Sequence, residues 1–181
     1  KKINFPSLRN GQVLVKIIYT GICKSQIYEI FGGRDNKKYI PHMLGHEATG
    51  TVIDKAKDVK KVKKNDRVIL TWLKCSGIQA TNPKYFNGKK IINSGSVTTF
   101  SSHAIVSENR ILKLPKDISF RKGVILGCAF PTGAGMIINN ISKFENKKIA
   151  FVGLGGVGVS ALLASLNSSL EEIYAFDIKK K

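Results

Sequence analysis

Three side chains far apart in the sequence, Cys23, His46 and Cys128, together offer two thiolates and one imidazole. That set holds a tetrahedral zinc ion and leaves its fourth position open to water or substrate, the arrangement of a catalytic metal. Taken singly, each residue has a plainer reading. A buried cysteine packs as a small hydrophobe, and a histidine after glycine is a turn residue. The second stretch with chemistry in it is residues 149–158, IAFVGLGGVG, in which Gly153, Gly155 and Gly158 fall at the spacing G-x-G-x-x-G after a short apolar run expected to be a buried strand. The first glycine permits a sharp turn, the second lets backbone approach a pyrophosphate, and the third lets helix and strand pack closely. A tight turn without a ligand also accounts for the glycines alone. The context adds a helical run at 159–168, a second strand at 172–178 and Asp177. That acid stands about twenty residues past the last glycine, the offset at which a carboxylate reaches the ribose hydroxyls of a dinucleotide.

Each of these groups needs an element to deliver it. Residues 12–19 (QVLVKIIY) alternate as a strand and leave it through a glycine turn, so Cys23 sits at a strand end. A short helical stretch at 27–31 breaks at Gly32 and Gly33, and a polar loop runs on to Pro41. Residues 43–53 place His46 and Glu47 beside Gly45 at the start of another strand, and residues 66–72 form a further one. Residues 81–95, rich in Asn, Lys and Gly, predict a long irregular loop; 96–106 predict a strand, and 111–115 an edge strand closed by proline. Many short strands with glycine turns predict a barrel or sandwich over the first 115 residues. From Ser119 the pattern turns helical, over 120–128 and 133–140, and leads into the glycine-rich strand.

At 181 residues and 43% hydrophobic composition the chain can bury a core, and its longest apolar runs stop well short of a membrane span. No hydrophobic signal region follows Lys1 and Lys2, so a soluble cytoplasmic protein is expected. Three cysteines, at 23, 75 and 128, predict metal binding or free thiols rather than a disulfide framework. A formal charge of +18 invites a nucleic-acid reading. The densest basic run, residues 55–64 (KAKDVKKVKK), has no interleaved aromatics and lies between two strand-like segments, which predicts a solvated loop and no nucleic-acid partner.

Five motifs in order, GICKS (21–25), LGHEATG (44–50), DRV (66–68), GCAFPTGAG (127–135) and VGLGGVG (152–158), resemble the zinc-containing medium-chain dehydrogenase/reductases, the alcohol dehydrogenase family, over essentially the whole chain. The resemblance implies an α/β protein with a β-rich part: a GroES-like β-barrel catalytic domain over residues 1–128, then the first part of an NAD-binding Rossmann domain over 129–181. It implies one catalytic zinc on Cys23, His46 and Cys128, with Glu47 beside the metal and able to swing onto it. Ser25 is then the hydroxyl that takes the alcohol proton, Trp72 lines the substrate pocket, and Thr132 lies near the nicotinamide. The turn of Gly153, Gly155, Gly156, Val157 and Gly158 holds the pyrophosphate, and Asp177 favours NAD over NADP, a preference softened by the lysines at 179–181. The activity implied is hydride transfer between an alcohol or polyol and NAD, in a homo-oligomer.

Departures from the family pattern carry their own expectations. Gln26 stands where the family usually has an aspartate bonded to the ligating histidine, so restoring a charge there is expected to tighten metal retention. Tyr28 falls where some members have a relay histidine, and Cys75 alone represents the lobe that carries a structural zinc, so no structural zinc is expected. The chain starts without methionine and stops just past Asp177, and on this reading it is an amino-terminal piece that binds zinc without turning over alcohol. The alternatives are a zinc-free reductase of the same superfamily, which leaves Cys23, His46 and Cys128 without a task, and a non-catalytic dinucleotide-binding or basic nucleic-acid-binding protein.

Overall fold

The computed structural model describes residues 2–33, 37–140 and 143–179. Arg34, Asp35 and Asn36 of the expected polar loop, and Lys180 and Lys181 of the lysine tail, lie outside the described residues. The chain divides into two compact units, Lys1–Gly127 and Cys128–Lys181.

The first unit is built on an antiparallel sheet of five strands in the order β6-β1-β2-β3-β7. Its strands are β1 (Gln12–Thr20), β2 (Ala48–Lys55), β3 (Arg67–Leu70), β6 (His103–Ser107) and β7 (Ile111–Lys113), while β4 (Tyr85–Asn87) and β5 (Lys90–Ile92) form a separate hairpin. Alternation sets the buried face: Val13, Val15, Ala48, Val52, Val68, Leu70, Ala104, Val106 and Ile111 point into one core. Register shifts between Leu14 and Val15 and between Ile17 and Tyr19 interrupt the β1–β2 ladder, the local irregularity that bends a strand and strengthens its twist. At the far end of that ladder Thr20 pairs with Ala48, which brings the residues just after β1 beside those just before β2.

Several elements differ from expectation. The loop predicted at 81–95 contains the β4–β5 hairpin, turning at Gly88 and Lys89. The strand predicted over 96–106 is confined to His103–Ser107, because the N–H groups of Thr99 and Phe100 both donate to the Leu44 carbonyl instead of to a ladder. Helix α1 spans Lys24–Ile30, beginning directly after Cys23 rather than at Ile27. Residues 120–128 split into α2 (Phe120–Gly123), capped by the Ser119 hydroxyl, and a 3₁₀ turn at Val124–Gly127.

The lysine-rich run is a loop whose cationic side chains are mostly exposed, but Val59 and Val62 drop into the core. Glu108 fastens it. Its Oε1 accepts the N–H groups of Lys60 and Lys61, each at 2.8 Å, and its Oε2 accepts that of Ile78, also at 2.8 Å. Burial disfavours the charge, but the three N–H donors and the nearby Lys61 ammonium outweigh it and hold the carboxyl below its ordinary range. A depressed carboxyl contributes stability that is present above the unfolded pKa and lost as pH falls through the folded one. We expect Glu108→Gln to cost about 2 kcal/mol at neutral pH, since one amide oxygen cannot serve donors on both sides. Urea midpoints across the acid range check this, and the variant's midpoint should fall less between pH 6 and strongly acidic pH than that of the parent.

In the second unit, β8 (Lys148–Val152) runs parallel to β9 (Glu172–Phe176), with α4 (Gly156–Ser165) between them in sequence and α3 (Ala129–Ile138) ahead. Ile137, Phe151 and Ala161 form its small core, with Ile149, Leu154, Leu162 and Ile173 packed around them. The strand expected to be buried is covered on one face only: Phe151 is buried, whereas Val152 is 86% exposed. The cause is the pleat, which sends Ile149 and Phe151 toward the helices and Ala150 and Val152 away.

Candidate functional site

The β1–β2 pairing sets the ligand geometry. Cys23 follows β1 and caps the start of α1, and His46 and Glu47 precede β2. Cys128 is the first residue of the second unit, joined by its peptide bond to Gly127. One ligand atom from each of Cys23, His46, Glu47 and Cys128 lies within 4.8 Å of all the others. The edges of a tetrahedron around zinc with sulfur and nitrogen ligands are roughly 3.3–3.8 Å, so the four donors are at the scale the ion requires with only small adjustment. The donor set fits as well, with two soft sulfurs, an imidazole and a carboxylate. Among the described residues this is the one such group of His, Cys, Asp and Glu. Cys75 is half-buried with its thiol directed at the Leu73 carbonyl, 3.7 Å away.

Glu47 is held through its backbone carbonyl, which accepts from the Thr20 hydroxyl at 2.9 Å, the Gly21 N–H at 3.2 Å and the Thr99 hydroxyl at 3.3 Å. Burial pushes its carboxyl pKa up, the response of an acid held away from water. Gly127 closes over it: a Cβ there would come within 2.6 Å of the Leu70 carbonyl oxygen and 2.8 Å of Glu47 Cβ. Both neighbours are anchored, so Gly127→Ala should shift the Glu47 backbone and cost about 1–3 kcal/mol. Thermal unfolding of the metal-free chain measures that cost. Neither Thr20 nor Thr99 carries a motif that marks it as part of a site, and Gly127 is legible only as the first residue of GCAFPTGAG. Only the register and the close approach expose them.

The remaining predicted residues are placed as follows. Ser25 is half-buried and its hydroxyl donates to Cys23 Sγ at 3.3 Å. Trp72 is 45% exposed, and its carbonyl accepts from Arg110. Tyr28 lies on the open side of α1, 60% exposed. In the second unit the Thr132 hydroxyl donates to the Cys128 carbonyl at 2.7 Å. Gly153 has a φ of +91° and a Cβ on Gly158 would strike the Gly153 carbonyl oxygen, so the turn needs glycine at both places. Gly156 opens α4 and Gly155 caps it, leaving the first N–H groups of the helix directed out of its end. Asp177, at the end of β9, accepts the Leu154 N–H at 2.7 Å and the Lys179 N–H at 2.9 Å, which ties the acid to the glycine turn.

A five-stranded antiparallel sheet bearing a Cys/His/Glu/Cys cluster, followed by a parallel β-α-β unit with a glycine turn, defines a class, and comparison with known proteins agrees. The chain belongs to the alcohol dehydrogenase GroES-like domain family, whose model matches residues 9–116. Its sheet is the curled half-barrel of that family. It is 27% identical over 194 residues to an S-(hydroxymethyl)glutathione dehydrogenase of Photobacterium damsela subsp. piscicida, covering 93% of this chain and 52% of that protein. It is 28% identical over 207 residues to alcohol dehydrogenase 6 of Peromyscus maniculatus, covering 99% of this chain and 54% of the other. An alcohol dehydrogenase zinc-binding domain protein from Burkholderia ambifaria superposes with a TM-score of 0.81 at 26% identity, over 98% of this chain and 54% of its own. The chain thus spans about half the length of the curated relatives it matches. Among the described residues no helix is long and apolar enough to cross a membrane.

Proposed function

We propose that the chain carries the zinc-binding catalytic domain (residues 1–128) and the opening of a Rossmann domain (129–181) of a zinc- and NAD-dependent dehydrogenase acting on an alcohol or polyol. The whole protein is proposed to work as a cytoplasmic homo-oligomer. The convergence of Cys23, His46, Glu47 and Cys128, within a chain of this family, carries the reading.

When bound, zinc supplies Lewis acidity at a substrate oxygen and NAD supplies the two-electron acceptor. Cys23, His46 and Cys128 would hold the metal. Glu47, buried beside the other three donors, would offer its carboxylate as a further ligand. The Ser25 hydroxyl is the proton carrier: its oxygen accepts the alcohol proton and passes it outward, and it already donates toward Cys23. Trp72 supplies an apolar wall that favours a narrow substrate. In the second unit the end of α4 and the Gly153–Gly158 turn would bind the pyrophosphate, Asp177 the adenosine ribose, and Thr132 would lie toward the nicotinamide.

Metal analysis combined with NADH fluorescence tests the reading. Stoichiometric zinc together with enhanced, blue-shifted NADH emission supports it. NADH binding without zinc points to a zinc-free reductase or a non-catalytic dinucleotide binder, and salt-sensitive binding of duplex DNA with neither points to a nucleic-acid protein.

A further inference from the structure

The helix that follows Cys23 and the segment that leads to His46 are joined by three side chains that the proposed chemistry does not use. Gln26 is 6% exposed; its Oε1 accepts the Gly45 N–H, and its Nε2 donates to Glu29 Oε2 at 3.4 Å. Glu29 lies one turn along α1, on the same face. Its other oxygen is 3.4 Å from His42 Nε2, and the second ring nitrogen of His42 is 3.1 Å from the Met43 carbonyl. Two rungs therefore connect α1 to residues 42–45, one beside the metal ligands and one a helical turn away.

We propose that Gln26, Glu29 and His42 are positioning residues of the metal centre: they lock α1 to the 42–45 segment, so that Cys23 and His46, rooted at the ends of those two pieces, keep a fixed separation. The proposal rests on the zinc reading above. It also explains why an amide stands at 26. A carboxamide accepts at one end and donates at the other, so Gln26 satisfies a backbone donor and a carboxylate together. A carboxylate at 26 accepts the Gly45 N–H equally well, but then turns a second negative oxygen toward Glu29 in a half-buried setting, where like charges repel. On this proposal a charge at this position loosens the metal centre rather than tightening it. The acid sits at 29 instead, paired with His42.

The test measures zinc affinity by chelator competition and records the visible spectrum of the cobalt(II)-substituted protein. Gln26→Glu, the isosteric acid, is expected to weaken zinc binding about ten-fold and to shift the cobalt bands, the size of effect seen when a ligand's supporting partner is lost. Adding Glu29→Gln to that variant removes the repulsion and is expected to restore affinity to within about two-fold of the parent, on the same scale. Glu29→Gln alone keeps an acceptor for Gln26 but gives up the carboxylate facing His42, and should weaken zinc binding by no more than about two-fold. Equal zinc affinity of Gln26→Glu and the parent overturns the proposal, as does failure of the second substitution to rescue. A fall in metal-free Tm that Glu29→Gln does not reverse also overturns it, because it marks a general packing defect. A parent chain that takes up no zinc removes the zinc reading itself, and the two failures are thereby distinguished.

Discussion

One zinc ion per chain is the expected metal content, dropping to a trace when Cys23, His46 or Cys128 is replaced. Loss of a ligand's hydrogen-bond partner already costs 10–100-fold in affinity, and loss of the ligand itself should exceed about 100-fold. Cys128→Ser is the most informative variant, because Cys128 is the one ligand outside the first unit and its buried thiol is otherwise a plain core residue. Retention should also weaken as pH falls, since two thiols and an imidazole must give up protons before they bind. Plasma emission spectroscopy on protein equilibrated at pH 8 and pH 5 reads both effects. Two zinc ions per chain, or undiminished zinc in Cys128→Ser, sinks the assignment.

The second large effect concerns the dinucleotide. NADH should bind at least about ten-fold more tightly than NADPH, because the Asp177 carboxylate would hydrogen-bond ribose hydroxyls and repel a 2′-phosphate. The bonds from the Leu154 and Lys179 N–H groups already aim this carboxylate before any ligand arrives. Asp177→Ser should narrow the preference to within a few-fold, and some loss for both cofactors is expected with it, because the glycine turn loses its tether. Gly158→Ala should be more severe: the new methyl meets the Gly153 carbonyl, so the turn must open and NADH binding should fall by more than about ten-fold. Fluorescence titrations with the two reduced cofactors measure all three. Equal affinities in the parent would refute the role given to Asp177.

The sheet was legible because its central strands write their burial into the sequence. Val13 and Val15, or Val68 and Leu70, alternate as the pleat demands. The β4–β5 hairpin was also written, in Gly88 between two apolar pairs, but the surrounding lysines and asparagines masked that turn signal. The start of α1 was misplaced because Lys24 and Ser25 carry no apolar period, and the helix begins there only because Cys23 adopts an extended conformation before it. At the metal site, the donor types suggested zinc, but their proximity follows from strand register, which no local pattern encodes. The Gln26–Glu29–His42 connection is a sharper case. Its helical half is an i,i+3 pair visible on inspection, whereas its other half depends on where the 42–45 segment comes to rest.

The order of the sheet bears on how the metal enters and leaves. Strands β1, β2 and β3 are neighbours both in sequence and in space, whereas β6 must return across the long 71–102 excursion to pair Gln12 with Ser107 and Lys16 with His103. Closing that long loop is slow relative to zipping the meander. The meander alone brings Cys23 near His46, and Cys128 arrives only when the segment after β7 has docked. A full set of ligands is therefore expected only late in folding. Interactions absent from a transition state act on the unfolding rate and leave the folding rate nearly untouched. Zinc bound there would act as a kinetic latch, with a residence time tied to how often the segment beyond β7 comes undone.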